Sequence, residues 1–247
     1  MPTPSELGLA ALILIAAVLY SSVGHAGASG YLAVMALWGI APETMKPTAL
    51  TLNILVATIG TVKFYRAGHF SWRLFWPFAV TSVPCSFLGG GLSLPGHLYK
   101  PIVGAVLLFS AFRMLKTTAR PEDQGESAFP PVWAGLVWGG LIGLLSGLTG
   151  VGGGIFLSPL LLVMGWAGIR ATAGVSALFI LVNSVAGLAG HLSSVAHLPA
   201  NLPLLLAAAG IGGWIGAHYG SRRIPTRELR WLLAVVLVIA GLKLIFT

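Results

Sequence analysis

Carboxylates are scarce in this chain. Glu6, Glu43, Glu122, Asp123, Glu126 and Glu228 are the only ones, and each falls at the end of an apolar segment or in a loop. No acid sits inside an apolar stretch, so the intramembrane Asp and Glu that cation carriers and proton pumps keep as ligands or relays are missing. An anionic or neutral cargo suits such a chain better. The single cysteine, Cys85, excludes an internal disulfide framework and any Cys-rich metal site; it is expected to pack as a small residue. His191 and His197 have no acidic or cysteine partner nearby, so neither a metal nor another cofactor is expected. No GxxxxGK[ST] pattern occurs, which excludes ATP-driven transport within this chain. The run GVGGGI fails the dinucleotide fingerprint, because Ile155 stands where its last glycine would. Ser146 beside a repeat-related His25 is the nearest approach to a nucleophile and base, and no enzyme is expected.

Charge of any kind is thin: charged residues make up 8% of the chain and hydrophobic ones 56%, against roughly 25% charged in a soluble domain. Apolar windows recur at 7–22, 27–40, 47–65, 74–92, 99–116, 132–148, 152–166, 171–190, 201–219 and 229–246. Each approaches the roughly 20 residues that a helix needs to cross a hydrocarbon core about 30 Å thick. A β-barrel would show segments of about ten alternating residues instead. The expected class is an all-α polytopic membrane protein. The opening MPTPSELG has no Lys or Arg, so it lacks the n-region of a cleaved signal, and the first apolar segment is expected to stay. The net charge of +8 lies mostly in short loops, where it serves as a topology determinant beside anionic lipid; no nucleic-acid partner is expected.

The polar, proline-containing stretch PEDQGESAFPP divides the chain nearly in half. Two membrane repeats, 1–118 and 132–247, joined by a linker at 119–131, are expected. Sliding one half on the other places Gly30 on Gly154, Lys46 on Arg170 and Thr48 on Thr172 at one offset, and Leu94-Pro95 on Ile224-Pro225 after small gaps. With five segments per half and the loop at 63–73 cytoplasmic, Lys63, Arg66, Arg73, Arg113, Lys116, Arg120, Arg170, Arg222, Arg223, Arg227 and Arg230 share the cytoplasmic side. Lys46, Lys100 and Lys243 are left outside. Four crossings per half would divide the same residues evenly. The positive-inside rule prefers the first arrangement; odd parity makes the repeats inverted and places both termini outside the plasma (inner) membrane. The pairs 7–22 with 27–40 and 132–148 with 152–166 are short, either as tilted spans or as half-helices meeting in re-entrant hairpins.

Between those short segments lie SSVGHAGASGY at 21–31 and SGLTGVGGGIF at 146–156. Glycine breaks a helix, and irregular backbone at membrane depth survives only where protein buries it or a watery cavity adjoins it. Equivalent under an inverted repeat, the two Gly-broken helices are expected to face each other at the midplane. A helix N-terminus offers free N–H donors and about half a positive charge, so two of them facing make an anion site. Gly27, Gly30, Gly150, Gly152, Gly153 and Gly154 would let the anion approach the backbone. Among the embedded polar residues Ser22, His25, Ser29, Thr48, Thr51, Asn53, Ser146, Thr149, Ser158, Thr172, Ser176 and Asn183 are donors for its oxygens. His25, without a counterpart in the second break, is either a donor or a titrating group. Gly139, Gly143, Gly212, Gly216 and Gly220 recur four apart and are expected to pack helices instead. Gly153→Val should therefore remove binding while sparing the fold, and Gly216→Val should perturb packing.

At these residues the chain resembles the sulfite exporter TauE/SafE family of bacterial permeases. The resemblance rests on SGLTGVGGGIFLSPLLL at 146–162, on the weaker copy GHAGASGYLAVMAL at 24–37 and on the two-repeat layout of nearly the whole chain. The family motif falls on Gly150, Gly152, Gly153, Gly154 and Pro159. In the first copy Ala28 and Ser29 replace glycines and Met35 stands where Pro159 does. The resemblance implies a plasma-membrane transporter of sulfite, thiosulfate or an organosulfonate, in a family with importers and exporters. An anion channel, or a carrier of another small anion such as a carboxylate, stays open, as do a coupling proton or ion and a homodimer.

Overall fold

The protein's computed structural model describes residues 3–92, 94–116, 129–190, 198–221 and 227–246. Ten helices follow in order: α1 (Pro4–Ser21), α2 (Ala28–Leu37), α3 (Pro42–Arg66), α4 (Trp72–Gly91), α5 (Gly96–Lys116), α6 (Val132–Thr149), α7 (Gly154–Val163), α8 (Ile169–Gly190), α9 (Leu202–Gly220) and α10 (Arg227–Phe246). No strand occurs among the described residues. The ten apolar windows thus correspond to ten helices. Most of the linker at 119–131, both His191 and His197, and the Ile224-Pro225 pair lie outside the described residues.

Helix starts follow local chemistry. Proline occupies the first turn of α1, α3 and α9, where its missing N–H costs nothing. Thr3 and Glu6 close a capping box on α1. Helices α1, α3, α6, α8 and α9 are long and apolar enough to cross a membrane. Trp72, Leu88, Trp133, Val163 and Phe246 are exposed on the outer faces, as contact with lipid tails allows.

The windows at 27–40 and 152–166 overstate their helices. α2 and α7 have 10 residues each, about 15 Å at 1.5 Å per residue, half of a hydrocarbon core. Both end in the same way. Gly39 (φ +74°) and Gly165 (φ +68°) adopt the left-handed conformation, and the next N–H returns to the last turn, Ile40 to the Met35 carbonyl at 3.0 Å and Trp166 to that of Leu161 at 2.9 Å. This is a Schellman closure. Their partners α1 and α6 keep 18 residues, so each pair joins one long helix to one half-helix. That is neither of the two arrangements expected.

Lipid tails are as apolar as leucine, so these helices associate through close packing. α1 packs on α9 and α6 on α4, each pair running parallel. In the first, Gly212, Gly216 and Gly220 lie under the carbonyls of Leu14, Val18 and Ser22; in the second, Gly139, Gly143 and Gly147 lie under those of Phe78, Ser82 and Ser86. The four-apart glycines are packing residues, as their spacing predicts. α3 packs on α8 and α5 on α10, now antiparallel. Asn53 meets Ser184 and Gly60 faces Ala177; Gly104 faces Gly241 and Ile245, while Leu108 meets Gly241. α3 further packs on α9 and α8 on α4. Exchanging α1–α5 for α6–α10 carries α1·α9 onto α6·α4 and α3·α9 onto α8·α4, and leaves α3·α8 and α5·α10 as they are.

Candidate functional site

Each half-helix opens on a glycine that only a residue without a Cβ holds comfortably. Gly27 is the N-cap of α2 at φ +109° and Gly153 that of α7 at φ +80°. The first bonds inside these helices are Tyr31 N–H to the Gly27 carbonyl, 2.9 Å, and Phe156 N–H to that of Gly153, 3.1 Å. The N–H groups of Ala28, Ser29, Gly30, Gly154 and Ile155 precede them and have no partner within the helix. No side chain caps either start, so both keep their partial positive charge open to a ligand.

The two breaks meet. His25, between α1 and α2, places Nε2 3.1 Å from the Gly154 carbonyl and 3.1 Å from Ser158 Oγ, and Ser158 continues to Ser176 of α8 at 2.8 Å. A small cavity lies beside this bridge, lined by Tyr20, His25, Gly27 and Ser29 from the first half and by Val151, Ile155 and Ile180 from the second. It has room for about one water molecule.

Around this centre the expected residues divide. Ser29 is buried and donates to the Tyr20 hydroxyl at 2.8 Å. Asn53 is fully buried and donates from Nδ2 to the Val151 carbonyl and to Ser184 Oγ, both at 3.3 Å, while its Oδ1 has no partner. Gly152 lies against Asn53 and Ser184, Gly153 against Phe179, Ile142 and Ser146, and Gly154 against Ile180 and His25. Ser146, Thr48 and Thr172 are buried and their hydroxyls have no partner. Gly150 ends α6 at φ +79° and touches Lys46. Thr149 turns its hydroxyl back to the Leu145 carbonyl at 2.7 Å, and its own carbonyl accepts from Tyr99. Ser22 is at the end of α1, bonded to the Leu19 carbonyl at 2.6 Å and packed on Gly220. Gly30 is wedged between Ala16 and Tyr20. Of the expected residues, only His25, Gly27 and Ser29 line the cavity itself.

Two expectations change. A Cβ at Gly153 would lie 2.9 Å from the Phe179 ring and 3.1 Å from Ile142 on a left-handed backbone, so Gly153→Val does not spare the fold. Lys46 is not an exposed loop charge: it is 4% exposed, and its ammonium donates to the carbonyls of Gly90 at 2.9 Å, Leu92 at 3.4 Å and Gly89 at 3.5 Å. Ser184, which ties Asn53 in place, was not foreseen; a lone serine in the apolar run ILVNSVAGLAG carries no signal beyond its polarity. Among the described residues no group of His, Cys, Asp and Glu could hold a metal.

Residues 9–244 match the model of the family described as sulfite exporter TauE/SafE. A probable membrane transporter protein of Sinorhizobium fredii, y4hK, is 43% identical over 97% of this chain and 98% of its own. YunE of Bacillus subtilis, also named a probable membrane transporter protein, is 24% identical over 84% of this chain and 82% of its own. Another so named, MJ0441 of Methanocaldococcus jannaschii, is 23% identical over 79% and 76%. No solved structure matches.

Proposed function

The chain belongs to the sulfite exporter TauE/SafE family and is a multi-pass membrane transporter, and on that premise we propose that it carries a small sulfur-containing anion across the bacterial plasma membrane. Sulfite, thiosulfate or an organosulfonate is the cargo, and the transport is secondary, by alternating access. The observation that carries this is the convergence of the uncapped N-termini of α2 and α7 on one cavity, bridged by His25 and Gly154. Fixed N–H dipoles hold an oxyanion without a permanent counter-charge that would trap it. The side chains that complete the site are His25, Ser29, Thr48, Asn53, Ser146 and Thr172, of which Thr48, Ser146 and Thr172 have a free hydroxyl to donate, while Asn53 can offer only its Nδ2 group, shared now between Val151 and Ser184. No bond is made or broken in the cargo.

Two inverted repeats, 1–118 and 132–247, joined on the cytoplasmic side by the linker at 119–131, supply the alternation. The antiparallel packing of α3 on α8 and of α5 on α10 supports this, because equivalent helices of inverted repeats run opposite ways. The charge distribution supports a cytoplasmic 63–73 loop and both termini outside. The cavity, too small for the cargo, favours a carrier that opens over a standing pore.

Purified protein in liposomes, loaded with radiolabelled sulfite, thiosulfate or methanesulfonate, tests this. Saturating flux stimulated by the same anion on the far side is expected. Flux of none of these anions removes the sulfur assignment, and continuous single-channel current replaces the carrier by a channel.

A further inference from the structure

We infer that His25 couples anion transport to the proton: the imidazole takes up a proton when the anion binds beside it and releases it when the anion leaves. The inference rests on the anion site proposed above and adds the co-ion to it.

The tautomer is set by the fold. A carbonyl only accepts, so the 3.1 Å approach of Nε2 to the Gly154 oxygen places the single proton of a neutral ring on Nε2. Ser158, at the same distance, then has no lone pair on Nε2 to donate to, and bonds Ser176 instead. Nδ1 is left as a bare lone pair, buried, with no hydrogen-bond donor. The Val23 carbonyl, also turned to the ring, cannot donate either. A ring faced by two carbonyls has one N–H too few.

A protonated ring has the opposite difficulty. The groups around it are Tyr20 of α1, edge-on with ring centroids 6.5 Å apart, Tyr31 of α2, whose hydroxyl is spent on the Ala26 carbonyl, Ser158 of α7 and Ser176 of α8. None carries a negative charge. The buried cation Lys46 is held on the end of α4. Among the described residues an imidazolium here therefore has no counter-ion, and an isolated buried charge is costly. The anion, in the cavity that His25 lines, supplies it. Proton and anion each bind poorly alone and well together, which is thermodynamic coupling in both directions. The step balances: a proton from the water on one side adds to Nδ1 as the anion binds, and both leave to the other side.

The test uses the full chain in liposomes with trapped pyranine, supplied with sulfite, thiosulfate or methanesulfonate. The last two do not titrate near neutral pH, so any pH dependence with them belongs to the protein. Wild type is expected to move protons with the anion in the same direction, and its affinity for methanesulfonate to fall about tenfold per pH unit on the alkaline side. His25→Gln keeps an amide donor for Gly154 but cannot titrate. Its affinity should be independent of pH and its flux free of protons, with a melting temperature near that of wild type. Anion flux without proton movement in wild type overturns the inference and leaves the anion site standing. So does a His25→Gln protein that keeps the wild-type pH slope. Absence of any sulfur-anion flux overturns both. The wild-type proton measurement decides even if the variant does not fold.

Discussion

The Lys46 ammonium donates to the Gly90 carbonyl at 2.9 Å, joining the start of α3 to the end of α4 across the first half. The last carbonyls of a helix have no intrahelical donor, and a cation there also meets the negative end of the dipole. With Gly89 and Leu92 sharing the same ammonium, Lys46 is the cap of α4. Lys46→Met should cost about 1–3 kcal/mol, seen as a lower melting temperature in detergent, with Lys46→Arg intermediate. An unchanged melting temperature in Lys46→Met would remove the lysine from the cap.

Thr48 and Thr172 are buried threonines at equivalent positions of the two halves, each with a hydroxyl that bonds to nothing. An unsatisfied buried hydroxyl is a standing cost of about 1–3 kcal/mol, so the isosteric changes Thr48→Val and Thr172→Val should leave the melting temperature unchanged or raise it. If these hydroxyls serve the anion, affinity falls at the same time. Loss of a bond to a charged group costs about 1.5 kcal/mol or more, roughly tenfold. Stability and affinity thus move in opposite directions, and a drop in both would mark the hydroxyls as structural.

Gly153 and Gly216 separate site from packing. Alanine at Gly153 must hold a left-handed φ, a cost of about 1–2 kcal/mol, and displace the Phe179 ring beneath the N-terminus of α7. Gly153→Ala should lower both melting temperature and anion affinity. Gly216→Val drives a side chain into the Val18 carbonyl and pushes α1 from α9, an overpacking cost of about 1–3 kcal/mol. Here the melting temperature should fall while the folded fraction binds anion normally. Calorimetric titration on the monodisperse fraction of each variant measures the difference.

The segments and their breaks were legible in the sequence because both depend on local chemistry. Apolar windows set the helices, and glycines at 24–30 and 150–154 cannot sit inside a helix without cost. The true ends of α2 and α7 were also written there, in Gly39 and Gly165, but glycine is so common in this chain that its capping role is lost among packing glycines. Lys46 was illegible for a different reason. Its partners lie more than forty residues on, at Gly89, Gly90 and Leu92, and nothing near a lysine in sequence says which distant carbonyls it will cap. The same holds for Asn53, whose two acceptors, Val151 and Ser184, come from the other half of the chain.

The loops of the two halves decide whether the repeats are inverted. α8 begins beside the α3–α4 loop, since Gly174 lies under the His69 carbonyl, so the α7–α8 loop and the α3–α4 loop share one end of the molecule. The α2–α3 loop is at the other end, separated by the 25 residues of α3, about 37 Å of helix. Yet α2–α3 and α7–α8 are equivalent connections. In a Cys85→Ser background, Ala41→Cys should react with a membrane-impermeant maleimide added to intact cells, whereas Ala67→Cys and Met164→Cys, all exposed positions, should react only after lysis. Labelling of Met164→Cys together with Ala41→Cys would make the repeats parallel. Labelling of Ala67→Cys and Met164→Cys without Ala41→Cys would keep them inverted and reverse the orientation, taking the positive loops to the outside against the charge rule.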